Sequence, residues 1–173
     1  MSRSNPWKQK TRQTRHTTLI VVEGDTELAL VKHLRALCGR NCGTRVTIEN
    51  AHGGGGDSVL KKAIQLGKDF DACACLYDMD RAPSQKGLMC KADRMGITEI
   101  QSTPCIEALL LEVLNQPIPE DTELCKRAMQ RIIGTAPLTS VDTFEQHFEL
   151  DLLERQRDSI TSLDQLLRMI KPT

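Results

Sequence analysis

Apolar residues along the chain fall into short β-branched runs separated by stretches of helical spacing. Thr17-Thr-Leu-Ile-Val-Val22 predicts a first strand that ends at Glu23-Gly24. Asp25 stands where it can cap the helix that follows, in which Leu28, Leu30, Val31, Leu34 and Leu37 recur before Gly39 stops it. Residues 45–50 alternate as a second strand; His52, the glycines 53–56 and Asp57, a cap, lead into a helix through Leu60, Ala63, Ile64 and Leu66. Asp71-Ala-Cys-Ala-Cys-Leu-Tyr-Asp78 is too short for a typical helix and too apolar for a one-sided strand, so it belongs mid-sheet, covered on both faces. A loop over 81–84, a helix to about Met95, a stop at Gly96 and a fourth strand over 97–102 come next. Pro104 then opens an apolar helix to Asn115, as proline favours the first helical turn.

Four alternations of strand and helix predict an α/β fold with a parallel sheet of about four strands, flanked by helices through right-handed crossovers. From Pro117 onward strand signals stop, and three helical patterns near 120–133, 142–156 and 160–170 read as a helical annex packed on the sheet. The expected organisation is a basic tail over 1–16, an α/β core over 17–115 and the annex over 116–173.

Composition narrows the function. Among 173 residues aromatics are only 3%, too few for a fold that stacks successive bases on exposed rings. No apolar run of membrane-spanning length and no secretory leader pattern is present, and seven cysteines without a CxxC pair fit a reducing compartment. A soluble, cytoplasmic protein without a membrane partner is expected. The formal net charge is zero, but residues 1–16 carry Arg3, Lys8, Lys10, Arg12 and Arg15 without an acid, so the remainder is acidic. Such a basic arm can hold a phosphate backbone, which makes Lys8, Lys10, Arg12 and Arg15 candidate substrate contacts.

The chemistry concentrates at strand ends. In open parallel sheets ligands gather outside the carboxyl ends of the strands. Glu23 closes the first strand, Asp78 closes the third with Asp80 two residues on, Glu27 falls early on the first helix, and Glu107 follows the fourth strand. Carboxylates brought together there raise one another's pKa unless a cation neutralises them. Oxygen ligands suit Mg²⁺ or Mn²⁺, and alternate residues of an extended Asp-Met-Asp would project to one side. Paired metals of this kind serve phosphodiester hydrolysis.

Three motifs in this order, Val21-Val-Glu-Gly-Asp-Thr-Glu27, Leu76-Tyr-Asp-Met-Asp80 and Gln101-Ser-Thr-Pro-Cys-Ile-Glu107, resemble the RloB-like branch of the toprim (topoisomerase-primase) superfamily over roughly residues 17–115. Thr103 and Ile106 stand where that branch carries Asn and Phe. The resemblance implies a toprim-like sheet and a metal-dependent nuclease acting on DNA or RNA. In it Glu23 is the catalytic glutamate, as metal ligand or general base; Asp78 and Asp80 are catalytic, metal-binding acids; and Glu27 and Glu107 are the further acids of nuclease-type members. Related OLD-family nucleases and phage-defence effectors commonly work beside an ATPase, and with no Walker A motif here that ATPase is a separate chain. These nucleases also use a lysine near the second metal, for which Lys86 or Lys91 is the candidate. Ala82 replaces a third acid of topoisomerases and primases, and the only tyrosine, Tyr77, lies inside a strand, which excludes strand passage.

The remaining features read as structural. The glycine run lacks a P-loop lysine, and a flexible strand-to-helix connection is favoured over a phosphate cradle. His33, Cys38 and Cys42 lack a fourth ligand for zinc, and Cys105 lacks a histidine base. Two rival functions remain: a HAD-type phosphatase, although its Asp-x-Asp follows the first strand, and a non-catalytic toprim-like interaction subunit.

Overall fold

The computed structural model describes residues 15–39 and 42–172. Lys8, Lys10 and Arg12, and with them most of the expected basic arm, lie outside the described residues.

The four predicted strands form one all-parallel sheet: β1 (His16–Val22), β2 (Thr44–Asn50), β3 (Ala72–Asp78) and β4 (Thr98–Ser102), in the order β2-β1-β3-β4. The chain moves outward from β1 to β2, then reverses across β1 to β3 and β4. Right-handed crossovers place connections of opposite direction on opposite faces, and the packing follows this rule. Helix α1 (Asp25–Cys38) covers the face bearing Ile20, Val22, Val46, Ala74, Leu76 and Ile100. Helices α2 (Gly55–Leu66) and α3 (Lys86–Arg94) cover the face bearing Leu19, Val21, Cys73, Cys75 and Tyr77. The apolar run of β3 is therefore sandwiched, and its residues from Cys73 to Tyr77 are buried.

One helix cannot cover four strands, so the first face would remain half bare. The C-terminal half closes it with α4 (Ile106–Val113), α5 (Thr122–Ile133), α6 (Val141–His147), α7 (Leu150–Gln156) and α8 (Thr161–Ile170). Leu110, Met129, Phe144, Phe148 and Leu166 join Ile20, Leu76 and Ile100 in a single apolar cluster. Helix α4 is buried at every position from Ile106 to Val113 except Glu112, as expected of an element enclosed between the sheet and further helices.

Local details depart from expectation in four places. The pattern over 142–156 is two helices, α6 and α7, broken at Phe148, whose side chain enters the core while its carbonyl accepts a hydrogen bond from His33 Nε2 at 2.7 Å. Helix α4 begins after Cys105, so Pro104 precedes the helix rather than opening its first turn. Asp25 and Asp57 do not cap their own helices. Asp25 accepts from Asn50 Nδ2 at 2.8 Å, and Asp57 accepts from the Ser84 and Gln85 amides at 3.0 and 3.1 Å, pinning the start of α3 to α2.

Candidate active site

The reversal of strand direction lies between β1 and β3, and at such a switch point the connections diverge and leave a crevice beyond the carboxyl ends of the strands. Glu23 and Asp78 are the residues at those two ends. Val22 pairs in register with Leu76, so the chain leaves both strands at nearly the same level. The Asp78 amide donates to Glu23 Oε2 at 3.3 Å. The parallel ladder thus places one acid directly beside the other.

Two further acids arrive from the helices. Glu27, in the first turn of α1, folds back over Gly24: a Cβ on that glycine would stand 3.2 Å from Glu27 Oε2, so the small residue leaves room for the carboxylate. Glu107 comes from the first turn of α4. Glu23, Glu27 and Glu107 are 6%, 5% and 8% exposed, which is unusual for ionisable side chains without compensation.

Their electrostatics show the crowding. The Asp78 carboxyl is pushed up to about 8, first by burial and then by the charges of Glu27, Glu23, Glu107 and Asp80. Glu27 is pushed up to about 7, again first by burial, with Glu23 and Glu107 adding repulsion and the amides of Glu27 and Gly24 partly offsetting it. Asp78 Oδ1 and Glu107 Oε2 are buried without a hydrogen-bond partner among the described residues. Buried carboxylate oxygens are ordinarily satisfied, so two unpartnered ones on mutually repelling acids leave acceptors open to a proton or a cation.

The donor set is that of a hard cation: three buried carboxylates and the half-buried Asp78, all oxygen, with two unpartnered acceptors. Among the described residues, however, no three His, Cys, Asp or Glu side chains are gathered closely enough to chelate an ion as they stand. Two of the site's side chains are engaged by other partners. Arg81 Nη1 sits 3.3 Å from Glu23 Oε1, in the position a metal would contest. Residues 79–81 form a 3₁₀ turn rather than an extended segment, and Asp80 Oδ2 accepts from Thr122 Oγ1 at 2.7 Å. The two aspartates of Asp-Met-Asp therefore do not project together, contrary to the reading of the motif as extended chain.

The expected substrate contacts are dispersed. Arg15 is exposed and precedes β1, whereas Glu23 follows it, so seven residues of strand, about 20 Å, separate them. Lys86 is exposed at the start of α3 and makes no ion pair among the described residues. The glycine run does connect strand to helix, and its second half is closely packed. Gly55 and Gly56 are buried, and a Cβ would meet the Arg81 carbonyl at 2.9 Å and Pro83 Cδ at 2.4 Å respectively. The glycines let α2 approach the turn that carries Asp80 and Arg81. The Gly53 amide also donates to the Glu23 carbonyl at 2.8 Å.

Three side chains considered for other chemistry are structural. Tyr77 is buried, with its hydroxyl held by Glu99 and by Gln101. Cys105 is fully buried and pushed up to about 12, mainly by burial, so it remains a thiol. His33 is buried and committed to the Phe148 carbonyl.

Arg81 and Thr122 are the site residues that sequence reasoning missed. Adjacency to Asp80 could have drawn attention to Arg81; nothing in the sequence links Thr122 to a residue 42 positions earlier. Comparison with known proteins finds no match of the chain to a family model, to a curated protein or to a solved structure.

Proposed function

We propose that the protein is a Mg²⁺- or Mn²⁺-dependent nuclease that hydrolyses phosphodiester bonds in DNA or RNA, as its resemblance to RloB-like toprim proteins implies. The observation that carries this reading is the convergence of Glu23, Glu27, Asp78 and Glu107 at the β1/β3 crevice, with two buried carboxylate oxygens unpartnered. Glu23, Asp78, Glu27 and Glu107 would hold the ion, and Asp80 would join on release from Thr122. Bound there, a divalent ion supplies charge neutralisation at the phosphate and a more acidic attacking water. Glu23, whose Oε2 accepts from the Asp78 amide, would serve as metal ligand or as general base toward the attacking water. Burial of the acids keeps bulk water from screening the site.

The resemblance further implies a role as a phage-defence effector beside a separate ATPase. Seven free cysteines support a reducing, cytoplasmic setting, and among the described residues no helix is long and apolar enough to cross a membrane.

The test is cleavage of labelled DNA and RNA by the full chain, alone and with a candidate ATPase. Cleavage is expected with Mg²⁺ or Mn²⁺, and its loss with EDTA, in Glu23→Ala and in Asp78→Asn. Undiminished cleavage by either folded variant would overturn the assignment. The alternative of a non-catalytic interaction subunit is favoured by the pairing of Glu23 with Arg81 and of Asp80 with Thr122, and predicts metal binding with no turnover of DNA or RNA, alone or with an ATPase.

A further inference from the structure

Among the described residues, Arg81 is the only cationic side chain within 4 Å of Glu23, Glu27, Asp78 or Glu107. Lys126 feels Glu107 at longer range. The Arg81 contact is unequal in character. The arginine side chain is 58% exposed while that of Glu23 is 7% exposed, and the nearest approach, Nη1 to Oε1, is 3.3 Å.

The backbone beneath it is fixed. The Asp80 amide donates to the Pro104 carbonyl at 3.0 Å, the Ala82 amide donates to the Met79 carbonyl at 3.3 Å, and the Arg81 carbonyl packs against Gly55. The side chain is thus a long arm on a rigid pivot, with its head at the mouth of the acidic crevice and its outer side in water. A guanidinium serves a carboxylate or a phosphate equally well by geometry. A cation bound at Glu23 Oε1 would compete with the Arg81 guanidinium for the same oxygen.

Resting on the metal-nuclease reading above, we propose that Arg81 is an exchangeable counter-ion. It neutralises Glu23 in the metal-free protein, and when a divalent ion claims Glu23 the guanidinium turns outward to hold a phosphate of the nucleic-acid strand beside the scissile bond. One residue then couples metal loading to substrate grip. This gives Arg81→Ala two effects of opposite sign, which a purely structural ion pair would not produce.

The experiment measures Mn²⁺ binding to the full chain by the electron paramagnetic resonance signal of the free ion. In parallel it measures anisotropy of a labelled, hydrolysis-resistant phosphorothioate DNA duplex over a range of salt concentrations in Mn²⁺. Arg81→Ala is expected to bind Mn²⁺ about two- to fivefold tighter, the scale of one competing exposed ion pair. It is expected to bind the duplex more weakly, with a salt slope smaller by about one. Arg81→Lys, which keeps the charge, should fall between. Unchanged or weaker Mn²⁺ binding in Arg81→Ala, or an unchanged salt slope, overturns the proposal.

Asp78→Asn separates this from failure of the underlying reading. If Asp78→Asn loses Mn²⁺ binding while Arg81→Ala does not tighten it, the role of Arg81 alone falls. If Asp78→Asn binds Mn²⁺ like the wild type, the metal site falls, and the proposal with it.

Discussion

Replacing Asp78 by Asn removes one charge from the acidic crevice while nearly preserving side-chain shape, and its effect on stability tests whether the acids are frustrated without a cation. The Asp78 carboxyl is raised from 3.8 to about 8. Between those two values the unfolded chain has released the proton and the folded chain still holds it, so the metal-free fold loses stability as pH rises through this interval and levels off above it. Glu27, raised from 4.5 to about 7, acts in the same direction. At about 1.4 kcal/mol per unit the Asp78 displacement sets a ceiling of roughly 5–6 kcal/mol. Relaxation of the side chains and entry of water reduce this to about 2–4 kcal/mol.

For a chain of this length each kcal/mol moves the melting temperature by about 2–4 °C. In EDTA near pH 8.5, Asp78→Asn should therefore melt about 5–15 °C above the wild type by circular dichroism. Near pH 4, where neither form pays for the charge, the two should agree within about 2 °C. Mn²⁺ should close the gap at high pH by raising the wild type alone, since a ligand that binds only the folded state stabilises it. The same difference at both pH values, or a less stable variant at pH 8.5, would refute the argument that mutual repulsion and burial dominate this crevice.

Three further outcomes follow from the packing. Gly56→Ala places a methyl 2.4 Å from Pro83 Cδ; urea unfolding should show a loss of about 1–3 kcal/mol, and displacement of the turn bearing Asp80 and Arg81 should weaken Mn²⁺ uptake. Tyr77→Phe removes a hydroxyl bonded to Glu99 and Gln101, so stability should fall by about 1 kcal/mol with metal-dependent cleavage intact; loss of cleavage with the fold preserved would point to tyrosine chemistry. Phe144→Ala empties a fully buried ring site shared by His33 and Phe148 and should cost about 3–5 kcal/mol in urea unfolding; a cost below about 1 kcal/mol would show that the C-terminal helices do not complete the core.

The strands were readable because burial on both faces leaves little choice of residue: Cys73 to Tyr77 and Leu19 to Val22 are nearly unbroken apolar runs bounded by an acid or a glycine. The boundary between α6 and α7 was not readable, because Phe144, Phe148 and Leu152 keep a four-residue helical spacing across the break, and the break follows from where Phe148 must pack. The packing of the glycine run was not readable for a related reason. Four glycines look like slack in a sequence, and only the approach of Arg81 and Pro83 shows that absent side chains are needed to make room.

The sequence by itself determined which segments are strands, that they run parallel, and that Glu23 and Asp78 end two of them, since local pattern and connection length govern these properties. Tertiary structure alone decided that β1 and β3 are neighbours, that Glu27 and Glu107 turn into the same crevice, that Asp80 leaves it for Thr122, and that Arg81 enters it. The physical reason is range. Propensity and periodicity act over a few residues, whereas the charge balance of a buried crevice depends on groups far apart in the chain and on which of them finds a partner first.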